Sequence, residues 1–184
     1  MQTEIIFSGF GGQGALFAGQ LLAFAAMDTG MGVTWIPSYG PEMRGGTANC
    51  TVIIADEEIG SPTIRHPKAA VVFNLPSLDK YEPLVLPGGV LIANQSLINR
   101  GFERNDLKAV MIPANDIAES LGSKRLTNMV MLGALLSQLP VIPIEKVEKA
   151  LNDHIPEKHR NMLELNCKSL REGTAFVESQ SSPN

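Results

Sequence analysis

Residues 9–14 read Gly-Phe-Gly-Gly-Gln-Gly and match the pattern G-x-G-x-x-G. An apolar run at residues 4–8 (EIIFS) precedes these glycines, and a proline-free segment at residues 15–29 follows them. This order predicts a buried strand, a tight turn and a helix. A glycine-rich turn in that setting brings the free N–H groups of a helix start close to an anion. The turn is therefore a candidate phosphate-binding site, formed by Gly9, Gly11, Gly12, Gln13 and Gly14.

Two other interpretations of this turn stay open at the level of sequence. A dinucleotide site would also need an acidic residue at the end of the second strand, where it would hold a ribose hydroxyl. That strand ends near Ser38, and the nearest acid is Glu42, four residues further into the loop. NAD binding is therefore disfavoured. The remaining alternative is that the glycines only allow strand, turn and helix to pack closely.

The rest of the chain continues the alternation of apolar runs and helical segments. Strands are predicted at residues 33–37, 49–55, 69–74, 89–94 and 108–113. Helices are predicted at residues 76–81, 114–121, 128–139, 144–154 and 157–172, and a turn with a short edge hairpin at residues 56–65. Continuous Val/Ile-rich strands are typical of a parallel sheet that is buried on both faces.

The predicted fold class is therefore α/β. We expect a Rossmann-like domain with a mostly parallel sheet, helices on both faces and a helical C-terminal third. A single domain would cover residues 1–178, and a disordered tail would cover residues 179–184 (SQSSPN).

Composition excludes several functional classes. The formal net charge of −4 in 184 residues argues against binding nucleic acid through its phosphates. The longest nearly apolar stretch, residues 15–27, is too short to span a bilayer, and no basic leader is evident, so we expect a cytoplasmic protein without a membrane partner. Cys50 and Cys167 are too few for an iron–sulfur cluster held by this chain alone. The three histidines show no metal-ligand spacing, and no catalytic constellation is apparent.

A second unusual segment, YGPEMRGGTANC, covers residues 39–50 and follows the second predicted strand. The carboxyl ends of strands in open α/β sheets are where ligands bind. Arginine suits planar recognition of carboxylate or phosphate groups, which makes Arg44 a candidate binding residue. The alternative is an ordered surface loop in which Glu42 and Arg44 are solvated.

Together, GFGGQG and SYGPEMRGGTANC resemble the gamma subunit of 2-oxoacid:ferredoxin oxidoreductases, and the resemblance extends over residues 4–175. The form Y-G-P-E-x-R-G-G is more similar to the 2-oxoglutarate and branched-chain 2-oxoacid types than to the pyruvate type. The alternatives are the related small subunit of indolepyruvate oxidoreductase and a stand-alone nucleotide-binding α/β enzyme.

This resemblance implies a multi-subunit enzyme that oxidatively decarboxylates a 2-oxoacid, with 2-oxoglutarate favoured, forms an acyl-CoA and reduces ferredoxin. Thiamine diphosphate, Mg and iron–sulfur clusters would lie on alpha, beta and ferredoxin-like partner subunits, and CoA would be the co-substrate. This chain would bind no cofactor tightly and would be inactive alone. Its glycine turn and Arg44 would assist the CoA site. The second loop would face the partners, through Tyr39, Gly40, Pro41, Glu42, Met43, Arg44, Gly45 and Gly46.

Overall fold

The computed structural model describes residues 2–40, 47–60 and 64–181. In these ranges six strands form one sheet in the order β2-β3-β1-β4-β5-β6. The strands are β1 (Gln2–Phe10), β2 (Gly32–Tyr39), β3 (Thr47–Ala55), β4 (Ala69–Val72), β5 (Val90–Asn94) and β6 (Lys108–Ile112). The α-helices are α1 (Ala15–Asp28), α2 (Leu75–Tyr81), α3 (Ala114–Ser120), α4 (Thr127–Gln138), α5 (Ile144–His154) and α6 (Leu163–Ser181). Short 3-10 segments occupy Glu82–Leu84, Lys124–Leu126 and Glu157–Met162.

Five of the six strands point in one direction, and β3 opposes them. β1, β4, β5 and β6 pair in parallel, whereas β3 pairs antiparallel with both β1 and β2. The expected mostly parallel α/β sheet is confirmed, with β3 as the exception. Only residues 40–46 connect β2 to β3, which is too short for a parallel crossover of a dozen or more residues.

Two apolar clusters place helices on both faces of the sheet, as expected. The larger cluster joins α1, α3, α4, α5 and α6 to one face, through side chains such as Phe7 and Phe73 of the sheet region. The smaller cluster packs Leu78 and Tyr81 of α2 on the other face. Most of helix α1 is covered by neighbours in the same domain, since it packs on β1, β2, β3, α4 and α5.

The C-terminal third is helical, and its boundaries differ from the predicted ones in two places. The predicted helix at 157–172 begins as the 3-10 segment Glu157–Met162 and becomes α-helical only at Leu163. The predicted disorder of residues 179–181 is wrong, because α6 continues to Ser181. The polar composition of that stretch suggested disorder, but serine and glutamine are compatible with extension of a helix that the preceding turns have already formed. Residues 182–184 lie outside the described part of the chain.

The predicted edge hairpin at 56–65 is not present in its described residues, 56–60 and 64–65, which contain no strand. Turn-forming residues such as Gly60 suit an irregular loop as well as a hairpin. Across the described ranges, no helix is both long enough and apolar enough to cross a membrane.

Candidate anion-binding site at the glycine-rich turn

The glycine-rich turn adopts backbone conformations that favour glycine at two positions. Gly12 has a φ of 93° and Gly14 a φ of 79°, both in the left-handed region. Gly14 is the N-cap of α1, and no side chain of the described residues caps this helix start. Because the first N–H groups of a helix have no partner within the helix, this end of α1 presents free donors. Gly11 is exposed and is not among the glycines of positive φ, so the turn is defined by Gly12 and Gly14.

Gln13 ties the turn to the neighbouring parallel strand. Its side-chain Oε1 accepts a hydrogen bond from the Phe10 backbone N–H at 2.6 Å and another from Asn74 Nδ2 at 3.1 Å. Asn74 follows β4 and caps α2 by accepting from the Ser77 backbone N–H. The helix that follows β1 lies on one face of the sheet, and the helix that follows β4 lies on the other. The Gln13–Asn74 bond therefore lies at the position between β1 and β4 where the chain changes direction across the sheet. Ligands of open α/β folds bind at such a switch point.

A pocket of about 450 Å³ opens at the helix end of this turn, and we refer to it as the glycine-turn pocket. Its lining residues come from the turn and from the segments that begin α3 and α4: Gly12, Gln13, Gly14, Asn115, Lys124, Arg125 and Thr127. The charged residues among them are two cations, Lys124 and Arg125. Lys124 Nζ lies 2.8 Å from Glu119 Oε1, whereas Arg125 has no ion-pair partner among the described residues. The pocket therefore combines helix N–H donors with positive charge, which suits an anion such as phosphate.

Side-chain hydrogen bonds hold the wall of the pocket opposite the turn. Asn94 is fully buried at the end of β5 and donates from Nδ2 to Asn115 Oδ1 at 3.0 Å. Thr127 Oγ1 lies 3.3 Å from the same oxygen. The bond from Asn94 is accepted by the side-chain oxygen of Asn115, so the Nδ2 donors of Asn115 remain for the pocket that it lines. The Thr127 hydroxyl has its shorter bond, at 2.8 Å, to the Lys124 carbonyl.

Asn128 connects this wall to the turn. Its Nδ2 donates to the Gly14 carbonyl at 3.3 Å, and a Cβ on Gly14 would lie 2.6 Å from that nitrogen. The start of α4 is therefore packed directly on the start of α1. Position 14 therefore favours glycine for two reasons: its φ is positive, and a Cβ would clash with Asn128.

Three of the five turn residues predicted for binding line the pocket, namely Gly12, Gln13 and Gly14. Gly9 lies within β1 opposite Ala48, where a Cβ would come within 2.9 Å of Phe73 Cβ. Gly9 therefore fits the interpretation in which glycine allows close packing, and it does not line the pocket. Sequence reasoning missed Asn115, Lys124, Arg125 and Thr127. The available signal was the pair Lys124-Arg125 just before a predicted helix, but its position beside a turn about a hundred residues earlier depends on tertiary structure.

The second loop is described only at its ends. Tyr39 closes β2 and is 66% exposed, and the Gly40 backbone N–H donates to the Thr47 carbonyl at 2.8 Å. Pro41, Glu42, Met43, Arg44, Gly45 and Gly46 lie outside the described residues. Their predicted roles at a partner interface, and that of Arg44 in binding, stay predictions.

The two thiols are poorly suited to redox chemistry or metal binding. Cys50 is fully buried in β3, and burial raises its pKa to about 12. The pKa of Cys167 is also raised, first by burial and then by the charge of Glu148. Both cysteines are therefore protonated near neutral pH. Within residues 2–40, 47–60 and 64–181, no group of three or more His, Cys, Asp or Glu side chains is arranged to hold a metal ion.

Comparison with known proteins decides the family. The family model for pyruvate ferredoxin/flavodoxin oxidoreductase matches residues 4–176. The chain belongs to this family. The match contains the whole of residues 4–175, the range over which the two sequence motifs suggested the resemblance.

Members of the pyruvate ferredoxin/flavodoxin oxidoreductase family with curated names include subunits of several 2-oxoacid enzymes. The ketoisovalerate oxidoreductase subunit VorA of Methanothermobacter thermautotrophicus is 35% identical over 96% of this chain and 36% of its own length. The 2-oxoglutarate synthase subunit KorC of Methanocaldococcus jannaschii is 35% identical over 89% of this chain and 90% of its own length. This chain thus spans about a third of the VorA relative and most of the KorC relative.

Solved structures agree with the fold. The gamma subunit of a keto/oxoacid ferredoxin oxidoreductase from Geobacter sulfurreducens superposes with a TM-score of 0.82 at 31% identity, over 96% of this chain and 99% of that one. A 2-oxoglutarate:ferredoxin oxidoreductase from Magnetococcus marinus, with 2-oxoglutarate, coenzyme A and succinyl-CoA bound, gives 0.88 at 23% identity. That alignment covers 100% of this chain and 32% of the larger one, and it shows a shared fold.

Proposed function

We propose that this chain is the gamma subunit of a cytoplasmic 2-oxoacid:ferredoxin oxidoreductase. The enzyme would oxidatively decarboxylate a 2-oxoacid, transfer the acyl group to CoA and pass the electrons to ferredoxin. The observation that carries this proposal is the end-to-end likeness to a gamma subunit, at 31% identity and a TM-score of 0.82. The family match over residues 4–176 supports it independently of that structure.

The cofactors of this reaction would be held by partner subunits. Two cysteines are fewer than the four thiolates that an iron–sulfur cluster takes, and Cys50 is held protonated by burial. The described residues therefore do not fit a cluster, and we assign thiamine diphosphate, Mg and the clusters to the alpha, beta and ferredoxin-like chains. This chain would have no activity alone, because the cofactors carry the electron chemistry.

The contribution of this chain to the reaction would be part of the CoA site. CoA carries a pyrophosphate and a 3′-phosphate, and the glycine-turn pocket offers N–H donors beside Lys124 and Arg125. Asn115 and Thr127 would add neutral polar contacts in the same pocket. The Magnetococcus marinus enzyme, which contains a related fold, is described with coenzyme A bound. In this role the chain would orient CoA and would supply no reacting group.

We favour 2-oxoglutarate as the substrate, on the form of the second loop, with the branched-chain 2-oxoacid ketoisovalerate as the alternative. The relatives VorA and KorC, which are named for ketoisovalerate and 2-oxoglutarate enzymes, are each 35% identical in sequence to this chain. Substrate contacts would lie on other subunits, so the choice must be made by assay of the whole complex.

The test is purification of the tagged chain from its native host, followed by mass spectrometry and assay of the eluate. We expect a thiamine-binding chain and a ferredoxin-like chain to co-purify, and we expect CoA-dependent ferredoxin reduction. Assays with 2-oxoglutarate, ketoisovalerate, pyruvate and indolepyruvate would then identify the substrate. Recovery of the chain alone, with a nucleotide tightly bound, would contradict the subunit assignment and favour a stand-alone nucleotide-binding enzyme.

A further inference from the structure

A second cavity of about 660 Å³ lies next to the glycine-turn pocket, and we call it the apolar groove. It is bordered by α1, by the segment before α4 and by the segment between α5 and α6. The apolar side chains that line it are Phe17, Leu126, Ile155, Pro156, Met162 and Leu165. Phe17 remains 37% exposed, although an aromatic side chain gains much from burial.

The charge at this groove has one sign. Its titratable lining residues are Arg125, Lys158 and His159, and none of the acidic residues in the described ranges lines it. Arg125 and Lys158 form no ion pair within the described residues. The acid beside Lys158 in sequence, Glu157, is instead paired with Arg160 at 2.8 Å. The groove is thus locally basic, although the whole chain carries a net charge of −4.

We infer that the apolar groove is the docking site for an acidic segment of a partner subunit that inserts apolar side chains. The inference rests on the proposed function, which supplies the partner. Apolar anchors would cover Phe17 and its neighbours, and carboxylates would pair with Lys158 and Arg125. Such charge complementarity steers association and fixes the register of an interface. The net negative charge of the chain disfavours nucleic acid as the occupant.

Docking at this groove would also complete the neighbouring pocket. Arg125 lines both cavities, so a segment seated in the groove would lie against the wall of the glycine-turn pocket. The partner would thereby reduce the solvent exposure of that guanidinium. The CoA contribution of this chain would then be fully formed only in the assembled enzyme.

The test measures binding of this chain to its immobilised partner subunits, at low and at high salt. Lys158→Glu reverses one charge at the groove, and Lys80→Glu makes the same change on α2, on the opposite face of the sheet. We expect Lys158→Glu to weaken binding about tenfold at low salt and less at high salt, because salt screens exposed charges. Lys80→Glu should stay within about twofold of the unmodified chain.

The apolar part of the inference has its own variant. Phe17→Ser should weaken binding about tenfold at both salt concentrations, because burial of apolar surface is not screened. Circular dichroism and thermal melting of each variant verify that the fold is retained.

The possible outcomes separate the two proposals. If the unmodified chain binds its partners but Lys158→Glu and Phe17→Ser bind equally well, the groove is not the docking site and the proposed function stands. If the two variants bind the partners normally but weaken CoA binding, the groove belongs to the co-substrate and the docking inference is wrong. If the unmodified chain binds no partner at all, the proposed function fails, and the docking inference fails with it.

Discussion

Gly133 of α4 and Gly173 of α6 lie reciprocally against each other's helix. A Cβ on Gly133 would overlap the backbone carbonyl of Leu170, and a Cβ on Gly173 would overlap that of Val130. Thr174 Oγ1 donates to the Gly133 carbonyl at 3.0 Å across the same contact. The backbones of the two helices are therefore in direct contact at these glycines, and neither glycine has room for a side chain.

This contact predicts that Gly133→Ala and Gly173→Ala destabilise the chain strongly. Because rigid backbone would have to move, we expect each to lower the free energy of unfolding by about 3 kcal/mol. Urea unfolding followed by circular dichroism measures the change. The matched control is Gly101→Ala, where a Cβ meets nothing within 4 Å, and it should change stability by less than about 0.5 kcal/mol. Equal stability of all three variants would contradict the close approach of α4 and α6.

A graded series is expected in the glycine-rich turn. Gly12→Ala should cost about 1 kcal/mol, since its φ is positive but a Cβ there meets no atom of the described residues within 4 Å. Gly14→Ala should cost about 2–3 kcal/mol, because strain is added to a clash with Asn128. Gly11→Ala should cost the least of the three, because Gly11 is exposed and is not among the glycines of positive φ. Thermal melting of the three variants gives the order, and a larger loss at Gly11 than at Gly14 would show that the turn has another conformation.

The glycine-turn pocket makes a kinetic prediction for the assembled enzyme. A charge-assisted hydrogen bond contributes about 1.5–3 kcal/mol, so removal of Lys124 and Arg125 together should raise the KM for CoA by at least about tenfold. The double variant Lys124→Ala/Arg125→Ala should melt like the unmodified chain, because both residues are exposed. Lys168→Ala, on the exposed surface of α6, is the control. An unchanged KM for CoA would remove this pocket from the CoA site.

For the second loop, Arg44→Ala should lower acyl-CoA formation by the reconstituted complex while the isolated chain keeps its fold. The expected loss is about tenfold, the effect of one charge-assisted contact. Assembly should be measured on the same samples, so that a loss of binding to the partners is distinguished from a loss of turnover. Unchanged acyl-CoA formation would show that Arg44 is a solvated surface residue.

Thiol accessibility gives a prediction that depends on the fold alone. The pKa of Cys50 is raised to about 12, so this thiol stays neutral and buried throughout the mildly alkaline range. We expect iodoacetamide to leave Cys50 unmodified at pH 8 until the chain unfolds, and mass spectrometry of digested samples tests this. Cys167, which is only half-buried, should react first, and faster as the pH is raised, because its pKa is also raised and the thiolate is the reactive form. Labelling of Cys50 before unfolding would contradict its burial in β3.

Local pattern was sufficient for most of the helices and strands and for the glycine turn. The helix at Ile144–His154 has the predicted bounds, and α1 ends one residue before its predicted end. These elements could be predicted because capping, propensity and apolar periodicity act over a few residues. The antiparallel direction of β3 could also have been predicted, because a seven-residue connection from β2 is too short for a parallel crossover.

By itself, the sequence determined a glycine-rich strand–turn–helix, an α/β fold and a family. The tertiary structure decided which residues share a pocket. Lys124 and Arg125 line one pocket with Gly12 because the start of α4 packs on the start of α1 through Asn128. A local sequence pattern cannot predict such proximity between residues more than a hundred positions apart. The closeness of Gly133 and Gly173 is of the same kind. In the sequence, Gly133 is a glycine inside a predicted helix and Gly173 follows the predicted end of another. Only the packing of α4 against α6 leaves neither position with room for a side chain.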